Sequence, residues 1–567
     1  MHVLPAGQRT RLKISDIIPG GAAAIDRETM KMRDLLKSAP SWRTELGDPA
    51  VTPEQFRKIM KNLNMAAALA RRLPSISLAM AAEKKPFGDF DRQLAAAGNA
   101  AAELDREIEL CLSAWRALPD ERAAELAADA QGYRHFLRLA RHAPWELTLC
   151  CPDYTTCTGI SLEDSLIKGS RHGSRPGVAG KGSARAQQPA TAAKRAGSTT
   201  PPGPELARAW KDRALAWPGP SAKRSGNGPD LLRARELAWG LPPGTLESFL
   251  NVARREGPGT FGRYLKDKAA FRQLKRIPLA EAAIPFLNGQ GITIDMSVKA
   301  TVGFLYEFWP EMAYLARQVY LKGRLSGDCG GRGYQGPMCV QPLPGKTPLV
   351  LIDWEGRVAD SLALAHMLGQ AAQALMAPSR TPLSMRAADP LRELGGGLAE
   401  ALLPRSLNRQ DNSDLRRTVM IGGLMDRMVA NVYIPAITSC FEREAHLAVS
   451  RGGDVDEISD IFLELNREML GNFVEVTDKD RWAWIANDRI SRAPYDCAEA
   501  LGTFAGFGLA RMWEKKGQGF AEAVANAFSR IGSAPADKIM KEAGVSLASD
   551  RFWKGGFIWL NKIMDFA

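Results

Sequence analysis

The residues most able to do chemistry lie on one stretch, Val358-Ala-Asp-Ser-Leu-Ala-Leu-Ala-His366-Met367-Leu-Gly-Gln370-Ala-Ala-Gln-Ala-Leu-Met376. Alanine and leucine dominate it, no proline interrupts it, and Asp360 near its start suits a helix dipole. A helix is therefore expected over 358–376. His366 and Gln370 are four apart and share one face of that helix. This is the spacing of His-Glu-x-x-His, in which two histidines bind zinc and the glutamate takes a proton from water. Here Met367 stands at the glutamate position and Gln370 at the second histidine. Read alone, the stretch is one histidine on an Ala/Leu helix.

Its neighbours add to that reading. Glu393-Leu-Gly-Gly-Gly-Leu-Ala-Glu400 begins 27 residues after His366. Upstream runs Gly345-Lys-Thr-Pro-Leu-Val-Leu-Ile-Asp-Trp-Glu-Gly356, and downstream come Phe441-Glu-Arg-Glu-Ala-His446, Gly532-Ser-Ala-Pro535 and Lys541-Glu-Ala-Gly-Val545. In order and approximate spacing, from about residue 260 to the end, these segments resemble the thimet oligopeptidase / oligoendopeptidase F family of zinc endopeptidases. Tyr133 to Leu147 is similar, more loosely, to a helix and turn of its bacterial members. The resemblance implies a mainly α fold: two helical halves enclosing a deep channel, a zincin-like catalytic-type domain, and one small β-sheet. It implies His366 and Glu393 as residual metal ligands. It also implies that Leu349, Val350 and Leu351 form an edge strand that pairs with an extended peptide.

A hydrolytic zinc site needs three protein ligands, an open position for water, and a base. The Gln370 amide is neutral and a poor zinc donor beside an imidazole. The Met367 thioether cannot take a proton from water. Other groups that could restore the site are His446, Glu400 and Asp360. Alternatively, Glu393 and Glu400, seven apart on one helix face, are simply solvated or paired with arginines such as Arg405. Where the resemblance places a substrate-binding histidine and tyrosines, the chain has Asn487 and a single tyrosine, Tyr495, within Trp482 to Cys497. Ligand, base and oxyanion donors are thus altered together.

The expected protein is a catalytically impaired, oligoendopeptidase-like pseudopeptidase. It would bind a peptide or partner an active enzyme, with no catalytic residue and no cofactor. The alternative is an atypical zinc-dependent oligopeptidase completed by another ligand.

The elements around the site read as follows. The 567 residues are 45% hydrophobic and 24% charged, ordinary for a large soluble chain. No run of about 18 apolar residues exists, so no membrane span is expected. No apolar leader opens the chain, and the eight cysteines are scattered, so a cytoplasmic protein without a disulfide framework is expected. Lys168 to Pro204 holds seven basic and no acidic residues; removing them from the net charge of +12 leaves +5. Residues 168–229 read as a disordered basic linker between an N-terminal helical region, 1–167, and the peptidase-like domain, 230–567. A nucleic-acid partner is not expected, because only Trp210 and Trp217 could stack on bases there.

Helices are also expected over 26–39, ending at Pro40, and from Pro53 to Leu73. Further ones should cover Phe90 to Leu118, Asp120 to Ala143 and Val298 to Leu325. A strand pair is expected over 338–341 and 348–353.

Overall fold

A computed structural model describes Leu12 and residues 17–82, 90–130, 132–142, 231–285, 291–330, 334, 336–378, 380–386, 390–407, 414–485 and 497–565. The expected linker, Asn487 and Tyr495 lie outside the described residues.

The described chain is mainly α. Its first helices are α1 (Gly21–Gly47), α2 (Pro53–Ala82), α3 (Asp91–Ala117), α4 (Asp120–Asp129) and α5 (Arg134–His142). Helix α1 does not stop at Pro40, as expected from the sequence, but runs through it. A mid-helix proline costs about 3 kcal/mol. Trp42 and Leu46, beyond it, extend the buried stripe of Ile25, Met32 and Ala39. Burying two such side chains contributes about 1.5–3 kcal/mol each and offsets the cost. The helix expected from Asp120 to Ala143 breaks near Ala130 into α4 and α5. The Trp115 indole then donates to the Leu137 carbonyl at 3.3 Å, tying α5 to α3.

The second half contains α6 (Leu231–Ala238), α7 (Thr245–Phe271), α8 (Ile294–Phe308), α9 (Pro310–Leu321), α10 (Val358–Met376), α11 (Leu394–Leu407) and α12 (Asp414–Met428). A π-helical turn, Val429–Tyr433, leads into α13 (Ile434–Ser450). Then come α14 (Val455–Leu470), α15 (Ala498–Lys516), α16 (Gln518–Phe528), α17 (Ala536–Glu542) and α18 (Asp550–Met564). The long helix expected over 298–325 is two. Trp309 is extended and Pro310 opens α9, where a missing N–H does no harm. Among the described residues, no helix is long and apolar enough to cross a membrane.

The main sheet joins β2 (Leu325–Ser326), β3 (Met338–Val340) and β4 (Leu349–Leu351) in the order β2-β4-β3. The expected pair β3–β4 is present and antiparallel, with Cys339 opposite Val350. A smaller parallel pair, β1 (Ile277–Pro278) with β5 (Val474–Glu475), was not expected. Successive side chains of a strand point to opposite faces. Accordingly Val350 and Ile352 enter the core of the second half, while Leu349 and Leu351 enter that of the first, beside Met338 and Val340. The sheet is the partition between the two cores.

This overturns one expectation. Leu349, Val350 and Leu351 do not form an edge strand open to a peptide. They form the central strand, bonded to β2 on one side and β3 on the other. Their side chains are fully buried. The two-residue strand β2 arrives by a parallel crossover and takes the edge that the sequence left open.

Helices α10 and α11 approach closely at glycines. A methyl group on Gly369 would sit 2.2 Å from the Gly395 carbonyl oxygen. One on Gly396 would sit 2.5 Å from His366 Nε2. These glycines let the His366 ring lie directly on the backbone of α11.

Candidate functional site

Helix α10 spans the residues expected of it, and its start is locally secured. The Asp360 carboxylate accepts from the backbone N–H of Arg357 at 3.0 Å and of Glu355 at 2.9 Å. The Arg357 guanidinium adds an ion pair at 3.1 Å. Asp360 is therefore a capping residue and does not complete a metal site.

Two turns on, His366 is buried between two carboxylates. Its Nε2 lies 2.9 Å from Glu393 Oε2, and its Nδ1 lies 3.0 Å from Glu400 Oε1. Glu393 ends the 3₁₀ turn Pro390–Glu393 that runs into α11, and Glu400 lies two turns along that helix. Their separation of seven residues lets both face α10. Gln370 donates from its amide to Glu393 Oε1 at 2.7 Å. Behind them, Gln373 donates to the Leu391 carbonyl at 2.7 Å and accepts from the Gly395 N–H, holding the turn that carries Glu393. The Arg427 guanidinium, from α12, pairs with Glu400. The arginine expected beside these glutamates is Arg427 for Glu400; the side chain of Arg405 lies outside those described.

Burial by itself would hold His366 neutral. Glu400 and Glu393 overcome it and push the imidazole up to about 9. Burial would also raise Glu400, but Arg427 and His366 hold its carboxyl below the usual carboxylate range. Met367 and Gln370 are one turn apart on the same side of α10. Both are half-buried, and Glu393 is 17% exposed, so one side of the cluster is accessible. Cys339 of β3 borders it. Its thiol is pushed up to about 12, chiefly by burial, with the Glu393 charge adding to the rise.

The cluster has the outline of a metal tripod, because His366 Nε2, Glu393 and Gln370 meet at one corner. Its donor chemistry does not fit zinc. The third arm is a neutral amide, which ranks well below imidazole or carboxylate for that ion. Among the described residues, no group of three His, Cys, Asp or Glu side chains could hold a metal ion. Glu400 reaches His366 from the far nitrogen, which makes it a support of the ring rather than a third arm. His446 is not among the groups that act on His366.

His446 instead sits on α13, where burial pushes it down to about 4 against the opposing pull of the Glu442 carbonyl. Its folded-state value is below the unfolded value near 6.5, so the unfolded chain takes up the proton first. The stability tied to neutral His446 is complete above about pH 6.5 and is lost as pH falls toward 4. The expected loss across that window is up to about 3 kcal/mol. Urea unfolding of the wild type and His446→Gln at pH 7 and pH 4.5 checks this. Equal acid sensitivity of the two proteins would count against it.

No family model matches this chain, and no curated protein matches it. Solved structures do. A candidate peptidase from Chlamydophila abortus superposes with a TM-score of 0.70 at 15% identity, over 98% of this chain and 99% of that one. Oligoendopeptidase F from Enterococcus faecium gives 0.54 at 14% identity, over 95% and 98%. A second structure, of a candidate oligoendopeptidase F, gives 0.56 at 13% identity, over 94% and 96%. End to end, therefore, the chain has the fold of the oligoendopeptidase F peptidases.

Proposed function

We propose that this protein binds peptide segments on a peptidase scaffold without hydrolysing them, as a pseudopeptidase that works without zinc. The observation that carries the reading is the composition of the accessible face of α10. Met367 and Gln370 occupy the positions where a base and a second imidazole would act. Loss of a positioned base costs roughly 10²–10⁴-fold in rate, before any loss of metal is counted. The peptide itself would be held near the half-buried side chains Cys339, Met367, Gln370 and Glu393. The outline of the tripod favours a second reading, a weak zinc-dependent oligopeptidase, and the same experiment separates the two.

The full-length protein is incubated with a library of short peptides, with and without added zinc. Products are followed by mass spectrometry and binding by fluorescence polarisation. Saturable binding without cleavage above the buffer rate is expected. Zinc-dependent cleavage that disappears in His366→Ala would overturn the proposal and establish the peptidase.

A further inference from the structure

The corner where a metal tripod would sit is instead filled by side chains paired with one another by charge and by hydrogen bonds. His366 meets Glu393 at 2.9 Å and Glu400 at 3.0 Å, Gln370 meets Glu393 at 2.7 Å, and Arg427 meets Glu400. Those side chains come from α10, from the turn and helix of α11, and from α12. We propose that this corner is a metal-independent clasp that ties the three helices together.

Three observations support it. First, charge alternates along the row: the Arg427 cation, the Glu400 carboxylate, the His366 ring, the Glu393 carboxylate, and the Gln370 amide dipole. Glu393 meets His366 through Oε2 and Gln370 through Oε1, while His366 and Arg427 both meet Oε1 of Glu400. Second, the clasp lies at the close crossing of α10 and α11, where Gly369 sits against the Gly395 carbonyl and Gly396 against the His366 ring. Third, Gln370 turns its donor end to Glu393, whereas a metal ligand would have to present its oxygen. The inference rests on the reading of the corner as unsuited to zinc, but it concerns stability and metal uptake rather than peptide cleavage.

The test uses the full-length protein, and zinc itself is the probe. Metal content is measured by elemental analysis after exposure to zinc, and melting temperature is measured in zinc and in chelator. For the wild type, near-zero zinc and the same melting temperature in both are expected. Gln370→His replaces the amide with an imidazole, so it should gain close to one zinc per chain and melt lower in chelator than in zinc. Gln370→His/Glu393→Gln should lose that zinc again. In chelator, a double-mutant cycle of His366→Gln and Glu400→Gln should show a coupling of at least tenfold in the unfolding equilibrium. Wild-type zinc near one per chain, dependent on Glu393, would overturn the clasp. So would additive effects in the cycle, or a Gln370→His protein that stays metal-free. A peptide-cleavage result bears on the proposed function alone, so the two ideas fail separately.

Discussion

Replacing Arg427 with methionine is expected to lower folding stability by about 3–5 kcal/mol, the usual cost of removing one partner of a buried ion pair. Glu400 has no measurable exposure to solvent. It keeps its charge because Arg427 and His366 flank it. Methionine matches the apolar stem of arginine but leaves the carboxylate with His366 as its remaining charged partner. A buried carboxylate that has lost half of its compensation must either take up a proton or draw in water, and both cost free energy. Arg427→Met/Glu400→Gln removes the orphaned charge and should recover much of the loss. Urea denaturation of the three proteins at neutral pH is the measurement. A loss below about 1 kcal/mol for the single variant would place the pair among surface salt bridges.

A loss of similar size, about 3–5 kcal/mol, is expected for Lys268→Met. Lys268 and Asp426 are buried together, with Nζ 2.6 Å from Oδ1. The same ammonium donates to the carbonyls of Ala282 at 3.1 Å and Ile284 at 2.6 Å. Each of its three protons therefore has an acceptor. Burial pulls the Lys268 pKa down, and Asp426 opposes that pull. Removing the lysine takes the cation from the buried Asp426 carboxylate and a donor from two carbonyls. Lys268→Met/Asp426→Leu, which removes both charges, should be milder than Lys268→Met alone. If the double variant is the less stable, the pair is worth more than an apolar replacement, and the desolvation argument fails. The pair also matters to the site. Asp426 ties α12 to α7, and the next residue, Arg427, reaches Glu400.

Some of this was legible because it is local. The bounds of α10 follow from its composition and from Asp360 near its start, and neither depends on the rest of the chain. The β3–β4 pairing follows from two short apolar runs, 338–341 and 348–353, close together in the chain. That His366 and Glu393 belong together came from the resemblance of their segments to one family; Glu400 was one of three candidates by residue type, and spacing alone places it on one face with Glu393 without saying what they meet. The break at Pro310 has a local cause: a proline in a helical pattern also marks a first turn, and Trp309 before it is forced toward extended backbone.

What remained was decided by tertiary structure. Pro40 lies inside α1 because Trp42 and Leu46 find a core there, and no local preference announces a core. Strand β4 is central because a two-residue strand crosses over to lie beside it, a contact too short to leave a pattern. Arg427 lies 61 positions after His366, and nothing in its own neighbourhood points to Glu400. The sequence by itself determined which side chains α10 and α11 carry, and hence that Met367 and Gln370 stand where base and ligand chemistry would need other residues. Only the packed structure decided what those side chains do instead. Groups removed from water must satisfy one another, and which of them meet is set by how the helices cross.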